Sequence, residues 1–184
     1  MNGLEIPNQV TITTERLLLR EFTLLDAAAV FAYSTKPEAY QFADHPPHAS
    51  IHDSEEMIQR FIERQSNTPR RNLVLGIALK NVPRQLIGDI ALTTTDEVHK
   101  EAELGFMLDP AYWGQGYGME AAAALINYGF VRVGWQRIAA ACQQDNTASQ
   151  QLLRRVGLQP SDDPPANKPG LRFNPHMRFF ILTR

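Results

Sequence analysis

Cysteine is nearly absent. Cys142 is the only one in 184 residues, so no internal disulfide can form, and a reducing compartment suits the chain. An excess of basic charge is missing too: Lys and Arg total 18 against 20 Asp and Glu. No electrostatic footprint for a nucleic-acid backbone is present, which excludes nucleic acid as the expected partner and leaves a basic peptide or an amine open. Long hydrophobic runs are also lacking. The longest apolar stretch, residues 121–135, is cut by Asn127 and Arg132 and is too short to span a bilayer. Near the start, Glu5, Pro7 and Asn8 stand where a secretory leader would need apolar residues, so the expectation is a cytoplasmic protein with no membrane partner. There is no internal repeat and no low-complexity tract.

What is present suits one domain over residues 1–184, with 43% hydrophobic and 21% charged residues. Residues 11–22 read as a first strand carrying Arg16 and Arg20 at polar positions. Asp26 is placed to cap a short helix to Tyr33, and residues 54–65 read as a second helix capped by Asp53 or Ser54. Residues 72–80 and 85–93, separated by Asn81-Val82-Pro83-Arg84, read as an antiparallel hairpin. A strand over 101–108, a helix over 118–131 and a strand over 137–142 follow. A helix over 146–156 comes next, with Asn146 as cap and Gly157 as stop. Beyond a surface loop at 161–165, residues 170–173 and 177–182 read as a final pair of strands.

The most informative segment joins the 101–108 strand to the helix after it. Gly114, Gly116 and Gly118 alternate there, and the helix opens with Met119-Glu120 and three more alanines after Ala121. Glycines allow positive φ, so successive backbone N–H groups can converge on an anion at a helix start, where unpaired N–H groups and the positive end of the dipole favour a diphosphate. A dinucleotide fingerprint would need glycine where Met119 stands, and a P-loop would end in Gly-Lys-Ser or Gly-Lys-Thr. A kinase glycine loop lies between two strands. None of these three fits.

The segment Trp113-Gly114-Gln115-Gly116-Tyr117-Gly118 instead resembles the acetyl-coenzyme A loop of the GNAT N-acetyltransferase superfamily. It departs from that pattern only in having tryptophan where the family has Arg or Gln. Its Trp-Gly-x-Gly-Tyr sequence followed by Glu-Ala is similar to the branch of the ribosomal-protein alanine N-acetyltransferases. Three more stretches resemble that branch in order: residues 14–20, residues 86–90, and Asn146-x-x-Ser149 followed by residues 155–158.

The resemblance implies a mixed α/β (α+β) GNAT fold, with a mostly antiparallel twisted sheet of about six or seven strands flanked by helices. A splay is implied between the fourth and fifth strands. It implies acetyl-CoA as co-substrate and direct attack by a primary amine in a ternary complex, the acceptor being a protein N-terminal α-amine. Cofactor binding falls to Trp113, Gly114, Gln115, Gly116, Tyr117, Gly118 and Met119, and to Phe106, Met107 and Leu108 along the pantetheine arm. A backbone N–H of Met107 or Leu108 would polarise the thioester carbonyl. Asn146 would hold pantetheine amides, unless it is a plain helix cap, and Ser149 would protonate the leaving thiolate. Glu103 is the first choice of base, acting through a bound water, with Asp89 in reserve; an ordinary salt-bridged carboxylate is the alternative for Glu103.

Tyr117 is expected to pack under the loop, and Glu120 to be stabilised by the helix dipole alone. His45, His48 and His52 lack the spacing of a metal site, and no metal is expected. Cys142 is expected to be buried rather than nucleophilic. The irregular segment 37–52 would overhang the acceptor side, and with only Glu38 and Asp44 as acids it favours a peptide or neutral amine over a polyamine or aminoglycoside. A coenzyme A-binding sensor without turnover is the non-enzymatic alternative. The last strands are candidates for pairing across a two-fold axis in a homodimer.

Overall fold

Alternation of apolar residues along the third strand sets the architecture. Leu73, Leu75 and Ile77 enter one buried cluster, while Val74 and Ala78 enter another, so the sheet is covered on both faces. The computed structural model describes residues 4–43 and 46–184. In chain order the strands are β1 (Thr11–Thr13), β2 (Leu17–Arg20), β3 (Asn72–Leu79), β4 (Val82–Asp96), β5 (Glu101–Leu108), β6 (Arg137–Gln143), β7 (Gln159–Ser161) and β8 (Met177–Thr183). The helices are α1 (Ala27–Ser34), α2 (Ile51–Gln65), α3 (Tyr117–Tyr128) and α4 (Thr147–Arg155). The eight strands form one sheet in the order β1-β2-β3-β4-β5-β6-β8-β7. All neighbours are antiparallel except β5 and β6.

Helices α1 and α2 cover one face, packing Val30, Tyr33 and Ile58 on Val74, Ala78 and Leu86. Helix α3 covers the other through Ala121, Ala122 and Leu125, against Leu92, Leu104 and Ile138. Its small side chains let the helix axis approach the strands closely. Trp135, fully buried, fills the space at the end of α3.

Several sequence-based boundaries shift, each for a local reason. The expected first strand is a hairpin, because Thr14 closes a turn on Leu17 through both its N–H (3.0 Å to Leu17 O) and its hydroxyl (2.9 Å from Leu17 N). That division and the short β7 bring the strand number to eight, and the strand expected as fourth is β5. Asp26 caps backwards, accepting from Thr23 N–H at 2.8 Å and pairing with Arg20. Helix α2 begins earlier than expected, at a capping box of Ser50 and Asp53. Residues Pro169–Phe173 form a 3₁₀ turn rather than a strand, and β8 finds β7 as its partner instead. Over Phe179–Ile181 β8 is bonded on both sides, so along that stretch β7 presents the edge, and Pro160 interrupts its donors.

Candidate functional site

Strand β5 opens the site by leaving its neighbour. It pairs with β6 only from Glu101↔Arg137 to Glu103↔Ala139, whereas its pairing with β4 continues to Gly88↔Leu108. From Leu104 onward one edge of β5 is therefore unpaired by β6. The direction of each backbone group follows from ladder alternation. Asp109 N–H donates to Ile87 O at 2.8 Å, which makes Asp89 and Met107 the next hydrogen-bonded pair in register. Lys100 O accepts from Gln136 N at 2.8 Å, on the β6 side. Even-numbered residues of β5 thus aim their backbone groups into the splay. Phe106 and Leu108 present N–H groups there, and Met107 spends its own on the sheet. Of the two expected carbonyl-polarising groups, the alternation supports Leu108. Its carbonyl accepts from the Trp113 indole N–H at 2.9 Å, which ties the tryptophan to the end of the strand.

The glycine loop follows a short turn, Pro110–Tyr112, capped by Asp109 through Ala111 N–H. Gly114 has φ 72° and Gly116, the N-cap of α3, has φ 81° and ψ 0°. With glycine in the cap position no cap side chain hydrogen-bonds the first turn of α3, and an added Cβ at Gly114 would meet no atom within 4 Å. The cradle is open. Gly118 lies deeper: a Cβ there would come within 2.9 Å of both Leu108 Cδ1 and Leu152 Cδ1. The loop, β5 and α4 meet at this point, while Gln115 Nε2 donates to Ala111 O at 3.0 Å, the Tyr117 ring lies against Arg16 and Tyr112, and Met119 is exposed.

Helix α4 enters through Asn146, whose Oδ1 accepts from Ser149 N–H at 3.1 Å. The cap reading therefore holds, yet it uses only the oxygen. The Asn146 side-chain NH₂ and the Ser149 hydroxyl have no protein partner among the described residues. Ser149 lies one turn before Leu152 on the same helix face, the face that reaches Gly118.

A network that the sequence reading did not anticipate holds the loop from outside. Arg16 Nε pairs with Glu120 Oε2 at 2.7 Å, Arg16 Nη1 donates to Gln115 O at 2.9 Å, and the guanidinium lies 4.4 Å from the centre of the Tyr117 ring. Glu120 Oε1 accepts from the Thr14 hydroxyl at 2.6 Å and from Arg16 N–H at 2.9 Å. Partial burial alone would raise the Glu120 pKa, but the hydrogen bonds from Thr14 and Arg16 outweigh it and hold the carboxyl below its ordinary value. With the folded pKa depressed, its contribution to stability is present above the ordinary glutamate pKa and is lost as pH falls through the lowered one.

The opposite face of β5 carries Glu103, Gly105 and Met107, across from Thr93, Ala91 and Asp89 of β4. Gly105 is exposed, and a Cβ added there would touch nothing within 4 Å. This part of the β5 face is open. At one end Asp89 accepts a hydrogen bond from the Tyr33 hydroxyl at 3.0 Å; burial first, then the Asp89 charge, pushes that phenol well above its usual pKa. At the other end Glu103 pairs with Lys168 Nζ at 2.8 Å. The salt-bridged alternative for Glu103 is thus realised. Lys36 Nζ holds Asp109 at 2.6 Å, which anchors the start of the 37–52 segment beside the end of β5. The contacts of Lys168 and Tyr33 with these carboxylates had no signal in the sequence, since each is made only through tertiary folding.

Asp44 and His45 lie outside the described residues. His48 shares a hydrogen bond with Ser54 Oγ at 2.7 Å, and His52 lies beside Glu55 and Glu56 on α2. Cys142 is half-buried, and burial pushes its thiol up to about 11 against the opposing charges of Arg154 and Arg178, so it is protonated at neutral pH. No helix among the described residues is long and apolar enough to cross a membrane.

The acetyltransferase (GNAT) domain family matches residues 16–159. Over 148 residues the chain is 32% identical to YoaA, an uncharacterized N-acetyltransferase of Bacillus subtilis (strain 168), covering 80% of this chain and 82% of that protein. Among solved structures, a candidate ribosomal-protein-serine acetyltransferase from Vibrio cholerae superposes with a TM-score of 0.79 at 25% identity, over 97% of this chain and 100% of that one. The microcin C7 self-immunity acetyltransferase MccE, solved with acetyl-CoA and AMP, shares the fold with a TM-score of 0.75 at 19% identity, over 93% and 94% of the two chains.

Proposed function

Because this chain belongs to the GNAT acetyltransferase family and is an acetyl-CoA-dependent N-acetyltransferase, we propose that its acceptor is a protein or peptide N-terminal α-amine. The whole of residues 1–184 would serve as one catalytic domain. The carrying observation is the open β5 face at Gly105, where an added Cβ would meet nothing within 4 Å, with Asp89 on one side of it along the β4–β5 pair and Glu103 on the other. An open strand face of this kind accepts an extended chain end. A polyamine or aminoglycoside would call for more acids, and the two described ones already have partners in Tyr33 and Lys168. Likeness to a candidate ribosomal-protein-serine acetyltransferase supports the same acceptor class.

The residues suit the co-substrate on structural grounds: an open cradle at Gly114 and Gly116 for two phosphoryl groups, and an unpaired β5 edge for an amide-bearing arm. When bound, acetyl-CoA supplies an acetyl group on a thioester sulfur, so that amine attack forms a C–N bond, breaks the C–S bond and leaves a thiolate. The Leu108 N–H, aimed into the splay, would stabilise the developing oxyanion, and the Phe106 N–H, about 6.6 Å back along the same edge, would instead meet an amide carbonyl of the arm. The free NH₂ of Asn146 would hold an amide carbonyl, and the Ser149 hydroxyl would return a proton to the thiolate.

The ammonium proton must leave before attack. Glu103, first choice from the sequence, stands four residues from Met107, roughly 13 Å along the strand, and would act only through water. Asp89 is opposite Met107 in register. The register therefore favours Asp89 as the carboxylate next to the amine. Asp89→Asn is expected to lower kcat/KM for an N-terminal peptide roughly 100-fold, with Glu103→Gln costing under about tenfold. The reverse order would return the base to Glu103. A panel of N-terminal peptides, polyamines and aminoglycosides, scored by coenzyme A release, tests the acceptor class, and turnover confined to polyamines or aminoglycosides would refute the peptide assignment.

A further inference from the structure

The geometry points to a positioning role for Arg16 and Glu120: together they brace residues 114–118 from the β1–β2 hairpin, so that the loop is already set for a diphosphate. This deepens the acetyl-CoA reading and rests on it. The decisive contact is Arg16 Nη1 to Gln115 O at 2.9 Å. A trans peptide points its C=O and N–H in opposite directions, so holding the Gln115 carbonyl toward Arg16 turns the Gly116 N–H the other way, toward the open side of the cradle.

Arg16 is itself held on several sides. Glu120 takes its Nε at 2.7 Å and its backbone N–H at 2.9 Å, and the Tyr117 ring lies 4.4 Å from the guanidinium carbon. Thr14 fixes the second valence of Glu120 Oε1 at 2.6 Å. Its hydroxyl also accepts from Leu17 N–H, so the β1–β2 turn and the loop share one hydrogen-bonded unit. The chain separation is large, 104 residues between Arg16 and Glu120, which makes this a tertiary clasp rather than a local cap. Glu120 sits in the first turn of α3, and the helix dipole accounts for its charge. The dipole does not account for its accepting three hydrogen bonds from Thr14 and Arg16 on another element.

The brace predicts a sign that charge alone does not. Glu120 is a negative group beside a site for a doubly charged anion, so removing its charge should tighten coenzyme A binding if it acts only electrostatically. If it anchors Arg16, removing it should weaken binding. By calorimetry, Glu120→Gln and Arg16→Lys are each expected to raise the Kd for coenzyme A roughly tenfold, and Thr14→Val by a smaller factor in the same direction. In steady-state assays the loss should fall on the KM for acetyl-CoA rather than on kcat. It should also be at least about fivefold smaller with S-acetyl-pantetheine, which lacks the diphosphate.

Tighter binding by Glu120→Gln, or equal losses with both donors, would overturn the brace while leaving the family-based reading intact. A wild-type chain without affinity for coenzyme A would overturn both. Thermal melts identify any variant that loses its fold, and Thr14→Val, which removes one hydroxyl, then carries the comparison.

Discussion

Gly88→Ala is expected to destabilise the protein by about 3 kcal/mol or more and to abolish measurable turnover. A Cβ at this position would lie 2.2 Å from Met107 O and 2.9 Å from Leu108 Cα. Both are backbone atoms of the neighbouring strand, so no side-chain rotation relieves the clash. The β4–β5 rung must separate, and that rung leads directly to the Asp109 N–H to Ile87 O bond and to the Leu108 N–H in the splay. The melting temperature should fall by roughly 6–12 °C for a chain of this size. Gly105→Ala is the matched control on β5: its Cβ meets nothing within 4 Å, and its stability should change by no more than about 0.5 kcal/mol. A Gly88→Ala protein melting within about 2 °C of wild type would show that the strands do not approach as described.

Gly116→Val should raise the KM for acetyl-CoA roughly 100-fold, equivalent to about 2.8 kcal/mol. The residue holds φ 81° and ψ 0° at the head of α3, a left-handed conformation that costs an ordinary residue about 1–2 kcal/mol and a β-branched one more. Space is not the main obstacle, since the nearest atom to a Cβ there is Arg16 Nη2 at 3.4 Å. The strain would instead be relieved by turning the 115–116 peptide out of the cradle, against the grip of Arg16 on Gln115 O. A graded series follows: asparagine, which tolerates positive φ, should cost least, then alanine, then valine. Equal affinities across the series, measured by calorimetry with coenzyme A, would mean that the loop adopts another shape in solution.

Which parts were legible beforehand depends on how local their causes are. The 101–108 strand matches β5 because its apolar pattern and bounding turn are contiguous in the chain. Asn146 and Gly157 mark the ends of α4 because caps are written in single residues. The hairpin in residues 11–20 was missed because Thr14 turns the chain with one hydroxyl, inside a run that otherwise reads as strand. Residues 170–173 have no strand partner, since β7 has already taken the free edge of β8. Pairing of that kind is decided by competition between distant segments.

The amino-acid sequence by itself determined the order of elements, the glycine loop ahead of an alanine-rich helix, and through them the family and its acetyl donor. These rest on backbone permissions and on residues near one another in the chain. Only the tertiary structure decided how the loop is braced, which β5 amides face the splay, and which carboxylate stands across from them. Arg16 meets Glu120, Asp89 meets Tyr33, and Glu103 meets Lys168 across separations of 104, 56 and 65 residues. Hydrogen bonds of about 3 Å reach between such residues come into being only when packing of the two sheet faces has fixed the register of every strand.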